Sequence, residues 1–184
     1  DVSSAASDVY KRQNPFLLLN SNMLYYIVGF WIVLRYFSQN SPTMSIKPFM
    51  LLPINKSKII RFSINKTIFS FFNLVSILYM LVFSLTIYDP EKFDFYSLLS
   101  WNLSMCFILY VTNFLNIYLN KRDYIVIGLG IFLAIIYAID YYEFFNFKSI
   151  SEQIFYSFYT TKLFVIIPFS LLIYSYVSVI NFFK

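Results

Sequence analysis

Apolar residues in this chain come in long blocks, not in the alternating or one-sided patterns of soluble elements. Five blocks approach the roughly 20 helical residues needed to cross a hydrocarbon core about 30 Å thick. They cover roughly residues 16–34, 64–88, 98–119, 124–142 and 163–183. The polar stripe of a soluble core helix is missing from them, and so is the ten-residue alternation of a membrane β-barrel. The pattern predicts an all-α fold, a polytopic membrane helix bundle of about five transmembrane helices with short connections.

Local signals refine the boundaries. Asn20, Ser21 and Asn22 interrupt the first block and shorten its fully apolar part. Pro168 lies inside the fifth and is expected to kink it. Asp123 is placed to cap the fourth helix. Asp89-Pro90-Glu91 reads as a turn followed by a helix start. Ser149 to Glu152 fits a capping box, which predicts a helix from near Ile150 running on into the fifth span. Tyr and Trp near block ends, including Tyr88, Trp31, Trp101, Tyr141 and Tyr142, suit an interfacial aromatic belt.

Composition supports a bilayer as the solvent. The 184 residues are 59% hydrophobic and 23% aromatic, with a mean hydropathy of +0.66. A soluble domain of that size could not bury so much apolar surface. The richness in Phe, Tyr, Ile, Asn and Lys points to an AT-rich genome and carries no functional information. There is no His, and the single Cys is Cys106 within an apolar block. Disulfides, thiolate metal sites and His-based triads are therefore excluded. The nine acids are scattered and form neither a catalytic dyad nor a hard-metal site. Enzymatic activity and a bound cofactor are not expected. Residues 1–13, DVSSAASDVYKRQ, differ in composition from the rest and read as a non-native leader. Residues 14–184 then form a transmembrane domain, expected to be a fragment of a longer chain.

Charge sets orientation. The connection after the first block carries Arg35, Lys47, Lys56, Lys58, Arg61 and Lys66 and no acid, whereas the next holds Asp89, Glu91, Lys92 and Asp94. The third, with Lys121, Arg122 and Asp123, is again cationic, and the fourth is balanced. By the positive-inside rule, loop 35–63 is expected in the cytoplasm. Although the net charge is +5, the cations sit in membrane loops, so nucleic acid is not an expected partner. Pro48 and Pro53 punctuate the loop, and oily residues such as Leu52 alternate with its lysines. Such a segment suits an interfacial anchor on anionic lipid or a docking element for a cytoplasmic protein.

The run FMLLPINKSKIIRFSINKTIFSFFN, residues 49–73, resembles the segment Leu-x-x-Leu-Pro-Ile-(Ser/Asn)-(Arg/Lys)-x-(Lys/Arg)-(Ile/Leu) of type-2 ABC-exporter permeases. There it precedes a Lys and a membrane span. The wider chain is similar to a family of uncharacterised bacterial multi-pass membrane proteins related to those permeases. The similarity is carried by Asn14-Pro15, Asn20, Arg35-Tyr36-Phe37, Gln39, Leu52-Pro53-Ile54, Lys58-Ile59, Phe71-Phe72-Asn73, Asn113, Leu115-Asn116 and Lys121. One departure is Asn65 before Lys66, where the permease pattern often has Gly. The resemblance implies a permease subunit in a bacterial cytoplasmic membrane that moves an unknown substrate with energy from a separate cytoplasmic ATPase. It also implies a possible homodimer. Lys47, Pro48, Leu52, Pro53, Lys56, Lys58, Arg61 and Lys66 become the candidate ATPase-docking or lipid-anchoring loop. The alternative is a non-catalytic structural subunit of a larger membrane complex, which would need the loop only as an anchor.

Polar residues within the blocks complete the reading. Asn73, Asn102, Asn113 and Asn116 are expected mainly to bond to neighbouring helices, and otherwise to line a substrate path. Asp140, the one acid within a block, is expected mainly at an interface beside Tyr141 and Tyr142, and otherwise at a proton or ion site.

Overall fold

A computed structural model describes residues 14–38, 55–90, 93–119, 123–142 and 145–183. Among them there is helix and no strand, and five helical stretches are long and apolar enough to cross a membrane: Pro15–Phe37, Ser57–Ile87, Phe95–Leu119, Tyr124–Tyr141 and Lys162–Phe182. The protein is an all-α bundle of multi-pass type.

The first span starts as α1, Pro15–Tyr25, with Asn14 as its cap and Pro15 in the first position, where a missing N–H costs nothing. The Asn20-Ser21-Asn22 interruption does not break it. Asn20 Nδ2 donates to Phe16 O, Ser21 Oγ to Leu18 O and Asn22 Nδ2 to Leu18 O, at 3.0, 2.8 and 2.9 Å. Each polar side chain thus donates to its own helix. A π-helical segment, Tyr26–Leu34, continues the span into the short α2, Arg35–Ser38.

The second apolar stretch is two helices. α3 is Lys56–Ile68, capped by Asn55, and α4 is Phe71–Ile87. The 31 residues of Ser57–Ile87 would reach about 46 Å at 1.5 Å per residue, well beyond the hydrocarbon core. The break at Phe69 and Ser70 divides the membrane-length α4 from an arm. Part of the segment read as loop 35–63 is therefore helix, in α2 and α3. Residues 39–54 lie outside the described residues, and with them Lys47, Pro48, Leu52 and Pro53.

α5, Phe95–Leu119, is the central helix, and α6, Asp123–Tyr141, packs beside the π segment. α7, Phe147–Thr160, is capped by Asn146, whose side chain accepts from Ser149 N. The helix thus begins before the predicted capping box, and it stops at Thr161, whose extended backbone (φ −116°, ψ 97°) separates it from the last span. That span opens with a 3₁₀ turn, Lys162–Val165, followed by α8, Ile166–Phe183. Pro168 falls in the first turn of α8, where proline needs no hydrogen bond. The irregularity predicted within the span is placed before the proline, at the 3₁₀–α junction.

Packing follows membrane logic. On α5 the buried face carries Ser97, Ser100, Ser104, Thr112, Asn113 and Asn116, while Leu99, Leu103 and Leu115 are exposed. Small and polar groups let helices approach and bond, and the oily side chains are left for lipid. At one end, Phe16 sits against the rings of Phe93, Trp101 and Tyr159 at 5.2–5.6 Å. Trp31 and Trp101, read as belt residues, are instead buried in this core. Trp101 is held there because its Nε1 donates to Asn20 Oδ1 at 2.8 Å. At the other end, Ile60 and Ile64 of α3 pack with Phe114, Ile117, Val179 and Ile180 of α5 and α8.

Candidate functional site: a buried arginine at the root of the basic arm

Arg35, at the end of the π segment, is 1% exposed. Its Nη2 donates to Asn73 Oδ1 at 2.7 Å and its Nη1 to Asn113 Oδ1 at 3.5 Å. Three spans therefore meet on one guanidinium, supplied respectively by α2, α4 and α5. No carboxylate contacts Arg35 among the described residues, and its Nε is buried without a partner. Among the described residues the charge is held by amide oxygens alone.

The amides reach on to the arm. Asn73 Nδ2 donates to Thr67 O at 2.9 Å and to Ile68 O at 3.0 Å at the C-terminal end of α3, where Thr67 O also accepts from Ser70 N at 3.1 Å. Asn113 Nδ2 donates to Thr67 Oγ1 at 3.0 Å, and that hydroxyl donates back to Ile64 O at 2.7 Å. The root of α3 is thus bonded to the second and third spans by the same amides that hold the arginine on the first. One turn along α5, Asn116 Nδ2 donates to Trp31 O at 3.0 Å, and Asn116 Oδ1 is buried without a partner.

The rest of α3 projects a different surface. Ile60, Ser63, Ile64 and Thr67 face the bundle, and Lys58, Arg61, Phe62, Asn65 and Lys66 are exposed. Their spacing is that of an amphipathic helix. Lys56 begins the helix. Tyr176 of α8 donates its hydroxyl hydrogen to Asn65 Oδ1 at 3.0 Å, a further tie between arm and bundle.

Of the predicted polar residues, Asn73 and Asn113 meet on Arg35, Asn116 ties α5 to the π segment one turn away, and two stand apart. Asn102 Nδ2 donates to Ser84 Oγ at 2.8 Å and to Leu98 O at 3.0 Å, joining α4 to α5 elsewhere. Asp140 is near the opposite end of the bundle. It accepts from Phe147 N at 3.1 Å and meets Lys148 Nζ at 3.6 Å, with its side chain 6% exposed. It braces the turn into α7.

Sequence reasoning missed Arg35, which it counted as a loop cation. The available signal was its position directly after an apolar block whose neighbouring blocks each carry an asparagine.

A second feature acts on the same span from the far end. Ser151 of α7 accepts from Leu24 N at 3.2 Å and donates to Asn20 O at 2.7 Å. Those two groups are also ladder partners in an α-helix. The hydroxyl bonds both of them directly before the helix widens into its π segment, and a side chain that competes for the ladder is a recognised cause of helix distortion.

Outside the membrane-length segments, Asp94 accepts from Ser97 Oγ at 2.8 Å and Ser97 N at 3.2 Å, and pairs with Lys162 Nζ at 3.0 Å. The Ser97 hydroxyl and the Lys162 ammonium hold its carboxyl below the usual range.

Comparison with known proteins adds a family. No curated protein and no solved structure matches the chain. One family does, over residues 2–184, a range that takes in the segment set aside above as a leader. With nearly the whole length matched, the chain belongs to the family of unknown function DUF5687.

Proposed function

We propose that the protein is the membrane-spanning permease subunit of an ABC-type exporter, in which α3 is the arm that receives a separate ATPase. The observation that supports this most is the dual character of α3. Its outer face is basic and open, while its root is bonded through Asn73 and Asn113 to Arg35 on the first span. The ATPase offers acidic groups to Lys58, Arg61 and Lys66 on the cytoplasmic side. ATP-driven closure presses on α3, the push passes through the Thr67 and Ile68 carbonyls, and the first three spans shift around the arginine. A buried, hydrogen-bonded charge suits this role because it has few alternative arrangements. ATP binding belongs to the partner, since the three glycines, Gly29, Gly128 and Gly130, form no phosphate loop. The substrate path and any pairing of two copies follow from the exporter analogy.

The test is co-expression with the product of a neighbouring gene that carries a phosphate-binding loop and an ABC signature. The two should co-purify, ATP hydrolysis should rise on association, and Lys58→Glu with Arg61→Glu should abolish both effects. Absence of such a gene, or association unaffected by the charge reversal, would favour a structural subunit with α3 as a lipid anchor.

A further inference from the structure

A cleft of about 650 Å³ runs along the first span at the bundle end that holds Asp140, bounded by α1, the π segment, α4, α6 and α7. It continues into a deeper pocket of about 250 Å³. The two share Leu19, Tyr26, Phe30 and Tyr79. The deep end reaches Trp31 and Ser76, while the mouth presents Asn22, Tyr137 and Lys148. Among the described residues that line it, Lys148 carries the one charge. Its contact with Asp140, 3.6 Å, is too long for a good hydrogen bond, and its side chain is half exposed, so the ammonium keeps donors for another acceptor. From Asn22 at the mouth to Trp31 at the deep end is nine residues, about 14 Å of helix at 1.5 Å per residue, roughly half the thickness of a hydrocarbon core and thus the depth of one leaflet.

We infer that this cleft is a binding site for one anionic phospholipid, with its phosphate on Lys148 and Asn22 and an acyl chain lying against the π segment as far as Trp31. Several observations converge on that occupant. The cleft is apolar along its length and polar at the membrane-surface end, which is the polarity of a lipid. At the mouth the half-exposed Lys148 ammonium is the charge open to a ligand, whereas its partner Asp140 is 6% exposed and does not line the cleft, and that favours an anion. Its wall is the π segment, and such segments recur at functional sites. The site does not depend on the transport reading, and lipid from the leaflet next to Lys148 reaches it without crossing the bundle.

The protein contains two tryptophans. Trp31 lines the cleft and is otherwise enclosed by protein, so quenching of its fluorescence by a lipid chain reports occupancy of the cleft. The full chain would be reconstituted in phosphatidylcholine vesicles doped with phosphatidylglycerol or phosphatidylcholine brominated on the acyl chain. Trp31→Phe identifies the signal that belongs to Trp31. Half-maximal quenching is expected at about fivefold less phosphatidylglycerol than phosphatidylcholine, the preference one lysine supplies near an anionic headgroup. Lys148→Gln should remove the preference, Lys148→Arg should keep it, and Ser76→Leu should weaken quenching by both lipids by closing the deep end. Folding of each variant is checked by its near-ultraviolet circular dichroism. Equal quenching by the two lipids, or a preference unchanged in a folded Lys148→Gln variant, would overturn the headgroup assignment. Quenching unchanged by Ser76→Leu would overturn the placement of the chain.

Discussion

Replacing Asn73 by Ala is the sharpest perturbation of the Arg35 network. The amide oxygen is the guanidinium's short contact, at 2.7 Å. Its removal leaves Arg35 with Asn113 at 3.5 Å and no other partner among the described residues. A hydrogen bond to a buried charge contributes about 1.5–3 kcal/mol. The same substitution frees the Ile68 carbonyl, worth about 0.6 kcal/mol in membrane-protein measurements, while Thr67 O keeps its bond from Ser70 N. The total is about 3 kcal/mol. Asn102→Ala is the internal reference, because Asn102 also joins two spans but bonds only neutral groups, and about 1 kcal/mol is expected there. Reversible unfolding in mixed micelles, followed by tryptophan fluorescence, measures both. A double-mutant cycle separates charge from packing. With Arg35→Met already in place, Asn73→Ala should cost at least about 1 kcal/mol less, because no buried charge is then abandoned. Equal costs for Asn73→Ala and Asn102→Ala, together with additivity of Asn73→Ala and Arg35→Met, would refute the view that the asparagine serves the arginine.

Further predictions concern the remaining contacts. Ser151→Ala removes the hydroxyl that bonds Asn20 O and Leu24 N. The first span should then recover α-helical pairing, seen as slower amide hydrogen exchange over residues 24–34, at a stability change no larger than about 1.7 kcal/mol. Unchanged exchange there would mean that the π segment has another cause. Asp94 has a folded-state pKa below its unfolded value. Its contribution is therefore present above about pH 3.9 and is lost as pH falls through the lower folded value. The difference in Tm between the wild type and Asp94→Asn should hold from neutral pH down to that point and vanish below it. A difference constant to still lower pH would show that the Ser97 and Lys162 contacts do not favour the carboxylate.

The spans were legible because lipid imposes one simple demand, a continuous apolar block, and the five blocks answer it to within a few residues at most of their ends. The hidden parts depend on partners distant in sequence. The bond of Ser151 to the first span joins residues 131 positions apart, and nothing near Tyr26 announces a π-helix. Trp101 looked interfacial because tryptophans usually are, and only Asn20, 81 residues away, explains its burial. Asn73 and Asn113 stood out as polar groups in apolar surroundings. Arg35 did not, because a cation at the end of a span is also what the positive-inside rule produces. The division between α3 and α4 was obscured because Ile59, Ile60, Phe62 and Ile64 make the arm nearly as oily as the span it leads into. Its polar members Lys58, Arg61, Asn65 and Lys66 identify it once the helix is known to break at Phe69.

The proposed docking role of α3 is tested most directly by photo-crosslinking in intact cells. A photoreactive amino acid at position 61, on the exposed basic face, is compared with one at position 85, where Leu85 of α4 is 75% exposed toward lipid. A protein adduct is expected from position 61 only, identified by mass spectrometry as a subunit with a phosphate-binding loop and an ABC signature. The adduct should be lost when Lys58 and Lys66 are changed to Glu. Lipid adducts alone from both positions would contradict it and leave α3 as an anchor in the membrane interface.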